Sequence, residues 1–178
     1  MCKQSLANLL LSAQACTFDL DLTGGNMVYH VSKVNWFEQQ TLLTELREKV
    51  FVYELNLPKK VEFDSLDKQS EHAIIYDDSN TPVGTGRLCP NGLISRVAII
   101  SQHRNKDAYY SILNYLVVIA KEKGLSNIFI NSVLDEVPSF IEYGFCKKGC
   151  VFMEAGIPRQ QLCCPVNEFC AEPFTMLH

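Results

Sequence analysis

A mixed α/β (α+β) fold, built on a mostly antiparallel sheet flanked by helices, is predicted for this 178-residue chain by three observations. Short alternating segments at residues 72–76, 82–88 and 93–100 are separated by the turn-forming runs Asp77-Asp78-Ser79-Asn80 and Pro90-Asn91-Gly92, so an antiparallel meander is the economical pairing. Helical periodicity brackets that meander. Leu42, Leu43, Leu46 and Val50 share a face before it, and Ile112, Leu113, Leu116, Val117, Ile119 and Ala120 share one after it. A hydrophobic fraction of 47% with 20% charged residues suits one domain with a sizeable core.

Taken in order, residues 1–26 read as an N-terminal extension, residues 27–162 as the domain and residues 163–178 as a C-terminal tail. Within the extension, residues 4–15 suit a short amphipathic helix. Residues 6–15, ahead of Cys16, loosely resemble a secretion signal, but Lys3 is the one positive charge before them and Asn8 interrupts the apolar run, so a cytoplasmic protein is expected. Gly24-Gly25-Asn26 reads as a turn. Residues 28–34 alternate as a strand, and Asn35 can cap a helix that begins at Trp36. The acid-rich stretch 62–71 has no period and reads as a loop. After the meander, the long helix closes on Lys121, Lys123 and a C′ Gly124. A strand at 127–133, a short helix at 136–143 entered near Pro138, and a strand at 145–153 complete the order β-α-β-β-β-α-β-α-β. Its βαβ segment, 93–131, supplies a parallel pair, and a ligand belongs at the C-terminal ends of those strands, near residues 98–107 and 131–140.

A net charge of −4 with 16 scattered basic residues gives no stripe to neutralise phosphates, so no nucleic-acid partner is expected. The longest apolar runs, such as 113–120, fall far short of the roughly 20 residues of a membrane span, so no membrane partner is expected either. Of the 8 cysteines, Cys146, Cys150, Cys163, Cys164 and Cys170 crowd the C-terminal part without a paired C-x-x-C spacing. They read as free thiols and small buried hydrophobes, and no metal is expected.

Several blocks, in order, resemble the GNAT superfamily of N-acetyltransferases, and within it the ElaA-like branch. REKVFVYE at 47–54 is similar to that branch's LRxxVFVxEQ block. Pro58, then Glu62-Phe63-Asp64, Asp67 and His72, resemble its P-x-x-EFD-x-x-D loop and closing histidine. VGTGRL at 83–88, RVAI at 96–99, Gly144-Phe145 and AGIP at 155–158 resemble further family blocks. The resemblance covers about residues 27–162. It implies a GNAT-like sheet splayed between residues 96–100 and 127–131, with acetyl-CoA or another acyl-CoA as cofactor and a small-molecule or peptide amine as acceptor. On that reading Val97, Ala98 and Ile99 pair with the pantetheine arm, Arg104, Asn105 and Lys106 approach the pyrophosphate, and Asn131 and Phe140 complete the cofactor site. Glu54 positions or deprotonates the amine, and Asp64, Asp67, His72 and Arg87 line the acceptor side. Solvent exposure is the bland alternative for Glu54; for Asp64, Asp67 and His72 it is loop capping. Arg87 and Arg96, on adjacent strands, can pair with Asp64 or Asp67, and Gly84 and Gly86 mark a bulged strand.

The chain also departs from the family pattern. Asp107 and Tyr109 stand where the R-x-x-G-x-G/A cofactor loop has glycines, so an acid that can cap the helix replaces a phosphate cradle. Ser139-Phe140 replaces the frequent Phe-Tyr pair whose tyrosine protonates the leaving thiolate, and Arg159 replaces the histidine of GIPH. The expected function is therefore acyl-CoA-dependent transfer to a primary amine by direct attack, with a catalytically degenerate GNAT-derived binding or regulatory domain as the alternative. An acyl-homoserine-lactone synthase on a related fold fits less well.

Overall fold

Asn35 starts the first helix as its residue type requires: its Oδ1 accepts the Phe37 amide at 2.8 Å. It separates β1, His30–Val34, from α1, Trp36–Arg47. The computed structural model describes residues 28–59 and 63–169. The expected extension 1–26 lies outside those residues, as do the loop positions 60–62 and residues 170–178 of the expected tail. α1 does not end at Arg47 but widens into a π-helical segment, Glu48–Glu54, in which the Leu55 amide reaches back to the Val50 carbonyl at 3.0 Å.

The meander forms as predicted. β2 (Glu71–Tyr76), β3 (Pro82–Leu88) and β4 (Ile94–Ile99) join β1 in a four-stranded antiparallel sheet of order β1-β2-β3-β4. α2, Lys106–Glu122, follows, and Gly124 at φ +69° takes the left-handed position just past its end. β5 (Asn127–Val133), α3 (Val137–Glu142), β6 (Cys146–Glu154) and β7 (Ile157–Pro165) complete the described chain. The last three strands make a second antiparallel sheet of order β5-β7-β6.

β7 has no counterpart in the predicted element order. Its inward residues are Gln160, Leu162 and Cys164, its ends carry Pro158 and Pro165, and Arg159, Gln160 and Gln161 blur the alternation. The strand reaches three residues past Leu162. β6 is the outer strand of this sheet among the described residues, exposed along nearly its whole length and shifted in register between Lys148 and Phe152.

Helices cover both faces of the first sheet. Ala73 and Ile75 pack with Ile112 and Leu116 of α2, whereas Ile74, pointing the other way, packs with Trp36, Leu43 and Leu46 of α1. The α2 cluster continues to Ile128, Leu162 and Cys164, so this one helix seals both sheets. Each such aliphatic side chain removed from water contributes about 1.5–3 kcal/mol. Burial also pushes the Cys164 thiol up to about 11, which keeps it protonated and packed as a hydrophobe.

The predicted splay is present. The Phe129 amide donates to the Gly92 carbonyl at 3.0 Å, and Leu93 bridges Phe129 in parallel, but among the described residues no ladder joins β4 to β5 beyond that point. Gly92 permits the approach, since at φ +85° a Cβ would stand 2.4 Å from the Asn127 carbonyl oxygen. A bulge then turns β4 aside. Thr85 pairs with Ala98 and Arg87 with Ser95, so Gly86 alone faces both Arg96 and Val97. Arg96 takes the extra step at φ +55°, a conformation that costs a non-glycine residue about 1–3 kcal/mol.

Candidate active site

The divergence of β4 and β5 leaves a cleft of about 270 Å³. Ser95, Arg96 and Val97 form one wall and Ile130, Asn131 and Val133 the other, with Leu113 of α2 beneath. Phe51, Leu55 and Leu57 cover it from the π-helical segment and the turn that follows, and Glu154, Ile157 and Arg159 close the far end from the β6–β7 hairpin. The widened helical turn and β7 thus both supply lining.

Beside the cleft lies a buried ionic brace. Asp67, 1% exposed, accepts Arg47 Nη1 at 2.9 Å and Arg87 Nη1 at 2.8 Å on Oδ1. Arg87 also donates to Asp64 at 2.7 and 3.1 Å and through Nε to Ser95 Oγ at 3.1 Å, and Arg96 reaches Asp64 Oδ2 at 3.2 Å. Asp64 in turn caps the amide of Leu66 at 2.9 Å. His72 Nε2 donates to the Asp67 carbonyl at 2.8 Å, with the ring tilted against Trp36 at 5.1 Å. Asp64, Asp67, His72 and Arg87 are therefore brought together, but Asp64 and Arg87 line the cleft while Asp67 and His72 lie behind it.

Charge and burial set the titration of this brace. Burial alone would raise Asp64, but Arg87, the Leu66 amide and Arg96 prevail and hold its carboxyl below the usual value. His72 is also lowered, first by burial and then by Arg47 and Arg87, against the pull of Asp67. With both groups lowered, the unfolded chain binds more protons, so stability is complete above the ordinary histidine value of 6.5 and falls on acidification. The Asp64 contribution is lost further down, as pH drops below its ordinary 3.8. Urea midpoints should decrease from pH 7 to pH 5, and His72→Gln should flatten that upper limb.

Glu54 ends the π-helical segment and is ion-paired to Arg104, whose Nε donates to the Ile99 carbonyl at 2.7 Å. This linkage places Glu54 beside the C-terminal end of β4 and turns the Arg104 guanidinium back toward the strand. Asn105 caps α2, accepting the Ala108 amide at 2.9 Å, and its Nδ2 donates to Tyr29 Oη at 2.8 Å. The expected cap at Asp107 is corrected here: Asn105 precedes the helix in extended geometry and intercepts the amide first, leaving Asp107 exposed. Tyr109 is 2% exposed and packs in the core on the face shared with Ile112 and Leu113, one helical turn from the cleft floor. Burial raises its hydroxyl well above the usual tyrosine value. Val97 and Asn131 line the cleft, Ala98 and Ile99 are buried behind it, and Lys106 opens α2. Phe140 faces the core instead, edge-on to Phe145 at 5.3 Å.

Arg47, Glu136 and the hairpin residues Glu154 and Ile157 were not among the candidates. Arg47 shares the i, i+4 row of Leu43, which marks it for the buried face. Glu136, 7% exposed, enters the cleft from the 3₁₀ turn Leu134–Glu136 and carries no such periodic mark.

With this geometry in view, the kinship is direct. The acetyltransferase (GNAT) domain family matches residues 46–112. The uncharacterized N-acetyltransferase YjcF of Bacillus subtilis (strain 168) is 33% identical over 121 residues, covering 66% of this chain and 86% of that protein. The chain belongs to the GNAT acetyltransferase superfamily. Solved structures that share its fold include the following two. An acyl-CoA N-acyltransferase from Pseudomonas aeruginosa superposes with a TM-score of 0.67 at 20% identity, over 78% of this chain and 99% of that one. Escherichia coli ElaA does so with a TM-score of 0.65 at 18% identity, over 76% and 99%.

Proposed function

We propose that this chain is an N-acyltransferase of the ElaA-like branch, using acetyl-CoA or a related acyl-CoA to acylate a primary amine by direct attack. The splay carries the reading: beyond Leu93 the β4 edge toward β5 has no strand partner among the described residues, so its amides and carbonyls can receive an extended chain. The pantetheine arm is such a chain, and Val97, Ala98 and Ile99 would hold it. Lys106 and the first turn of α2 offer positive potential to the pyrophosphate. When bound, the cofactor supplies an acyl group activated as a thioester. The β4 backbone would donate to the acyl oxygen without reorganising, as a sheet-fixed amide does. Glu54, with Oε2 held by Arg104, would accept the amine proton through Oε1 directly or through one water. Cytoplasmic action on a small amine fits this chemistry.

The second reading, a degenerate binding domain, is favoured by Asp107 and Tyr109 at the loop. Calorimetric titration with acetyl-CoA and thiol release with an amine panel separate the two. Binding is expected, and Asp107→Gly should tighten it by about twofold to fivefold, the 0.3–1 kcal/mol of a first-turn charge. Glu54→Gln should leave binding unchanged and lower kcat by roughly 10²- to 10⁴-fold. Absence of binding by both the natural chain and Asp107→Gly would favour the noncatalytic domain.

A further inference from the structure

The second sheet brings two cysteines face to face. Cys146, the first residue of β6, stands directly opposite Cys163 of β7 in antiparallel register, so both side chains leave the sheet on one face. Directly opposed residues of an antiparallel pair have Cα atoms about 4.5–5.5 Å apart, inside the roughly 4.4–6.8 Å that a disulfide spans. Cys164, next in the chain, points the other way into the core, and Cys150 falls in the register break, where the ladder gives it no facing residue.

The backbone around both positions is already held. Phe145, just before Cys146, is 2% exposed and edge-on to Phe140 and Phe169, while Leu162 and Cys164, on either side of Cys163, are fully buried. Joining the two sulfurs therefore asks for a side-chain rotation rather than a movement of the chain. Cys163 is half-buried, with Sγ turned toward β5 and donating to Asn127 Oδ1 at 3.7 Å, the contact of a weak donor. Cys146 is exposed, so a dissolved oxidant can reach it. Among the described residues no third His, Cys, Asp or Glu joins them in a group able to hold a metal, so the pair suits sulfur–sulfur chemistry.

We infer that Cys146 and Cys163 form a reversible dithiol–disulfide site, oxidised by hydrogen peroxide. The Cys146 sulfur attacks one peroxide oxygen, the O–O bond breaks, and Cys146 becomes a sulfenic acid as the other oxygen leaves as water. The Cys163 sulfur then displaces the sulfenic hydroxyl, which takes up a proton and leaves as a second water. Two thiols and one peroxide thus give one disulfide and two waters, and a dithiol reductant reverses the step. The bond closes a loop over residues 147–162 and staples the first ladder of β6, three pairs long before the break after Lys148. The site does not depend on the acyl-transfer reading.

The full chain, reduced and then treated with hydrogen peroxide, should yield on alkylation and non-reducing digestion a peptide pair linked through Cys146 and Cys163, lighter than the separate peptides by the hydrogens lost. The melting temperature should rise by roughly 5–10 °C, as closing a loop of about 15 residues does in a chain of this size. Dithiothreitol should reverse both changes. Cys146→Ser and Cys163→Ser should each abolish the rise, and Cys150→Ser should leave it intact. If a serine variant does not fold, the linked peptide of the natural chain still decides. Cys146 recovered alkylated or as sulfinic acid, or either cysteine linked elsewhere, would overturn the inference. So would the expected link with a lower melting temperature, since the native register would then not accommodate the bond.

Discussion

Replacing Asp67 with Ala should cost the protein about 3–5 kcal/mol, the usual penalty for breaking a buried ion pair from one side. Arg47 and Arg87, 1% and 2% exposed, would keep their charge and lose the carboxylate they share. Arg87 would retain Asp64, and Arg47, 5.8 and 5.0 Å from the ring centroids of Trp36 and Phe63, would lose both of its contacts to the Asp67 carboxylate in a setting that rehydrates poorly. A loss of this size is a large part of the roughly 5–15 kcal/mol that stabilises a typical domain. Trp36 is the single tryptophan, so its fluorescence in a urea titration reports directly on the brace. Asp67→Asn, which keeps the shape but not the charge, should also destabilise. A loss below about 1 kcal/mol for Asp67→Ala would mean that the arginines find water or new partners, contrary to their burial.

The second large effect is expected at Tyr109. Tyr109→Ala should cost about 3–5 kcal/mol, because a buried aromatic leaves a cavity that the close-packed face of α2 cannot fill. Glycine there adds roughly 1 kcal/mol of helix penalty. For a chain of 178 residues this corresponds to a melting temperature lower by roughly 6–20 °C. The residue that departs from the family's loop pattern is thus part of the core, and glycine cannot be restored at this position without destabilising the fold. A Tyr109→Ala melting curve that overlays the natural one would show that the side chain is not packed as described. Asp107, on the exposed side of the same turn, can be changed separately, which is why it serves as the cofactor probe.

What could be read from the sequence follows from how locally each feature is encoded. The Asn35 cap, the meander turns and the α2 face depend on neighbours within a few residues, and each was legible. The widening of α1 after Arg47 depends on tertiary packing and left no composition signal. β7 was obscured because its inward face includes Gln160, whose amide donates to the Lys148 and Gly149 carbonyls at 3.1 and 3.2 Å beside the β6 bulge. Asp64, Asp67, His72 and Arg87 were legible as a group, and so was the pairing of Arg87 and Arg96 with those aspartates, but the third arginine of the brace, Arg47, was not, since it lies on a helix 20 residues before Asp67. Glu136 falls within the stretch 131–140 expected to meet the ligand, but nothing local singled it out there.

The outer strand β6 bears on how the molecule behaves in company. A strand at the rim of a sheet presents unpaired amides and carbonyls that can template the addition of a neighbour. Here the rim carries Lys147 and Lys148 side by side, and the register break between Lys148 and Phe152 bends the strand away from the straight course an incoming strand would need. Val151, within that break, and Met153, just past it, are 50% and 65% exposed and would otherwise be the adhesive part of the rim. Charge and curvature therefore act as gatekeepers: crowded copies of this chain are kept from stacking edge to edge while β6 stays uncovered.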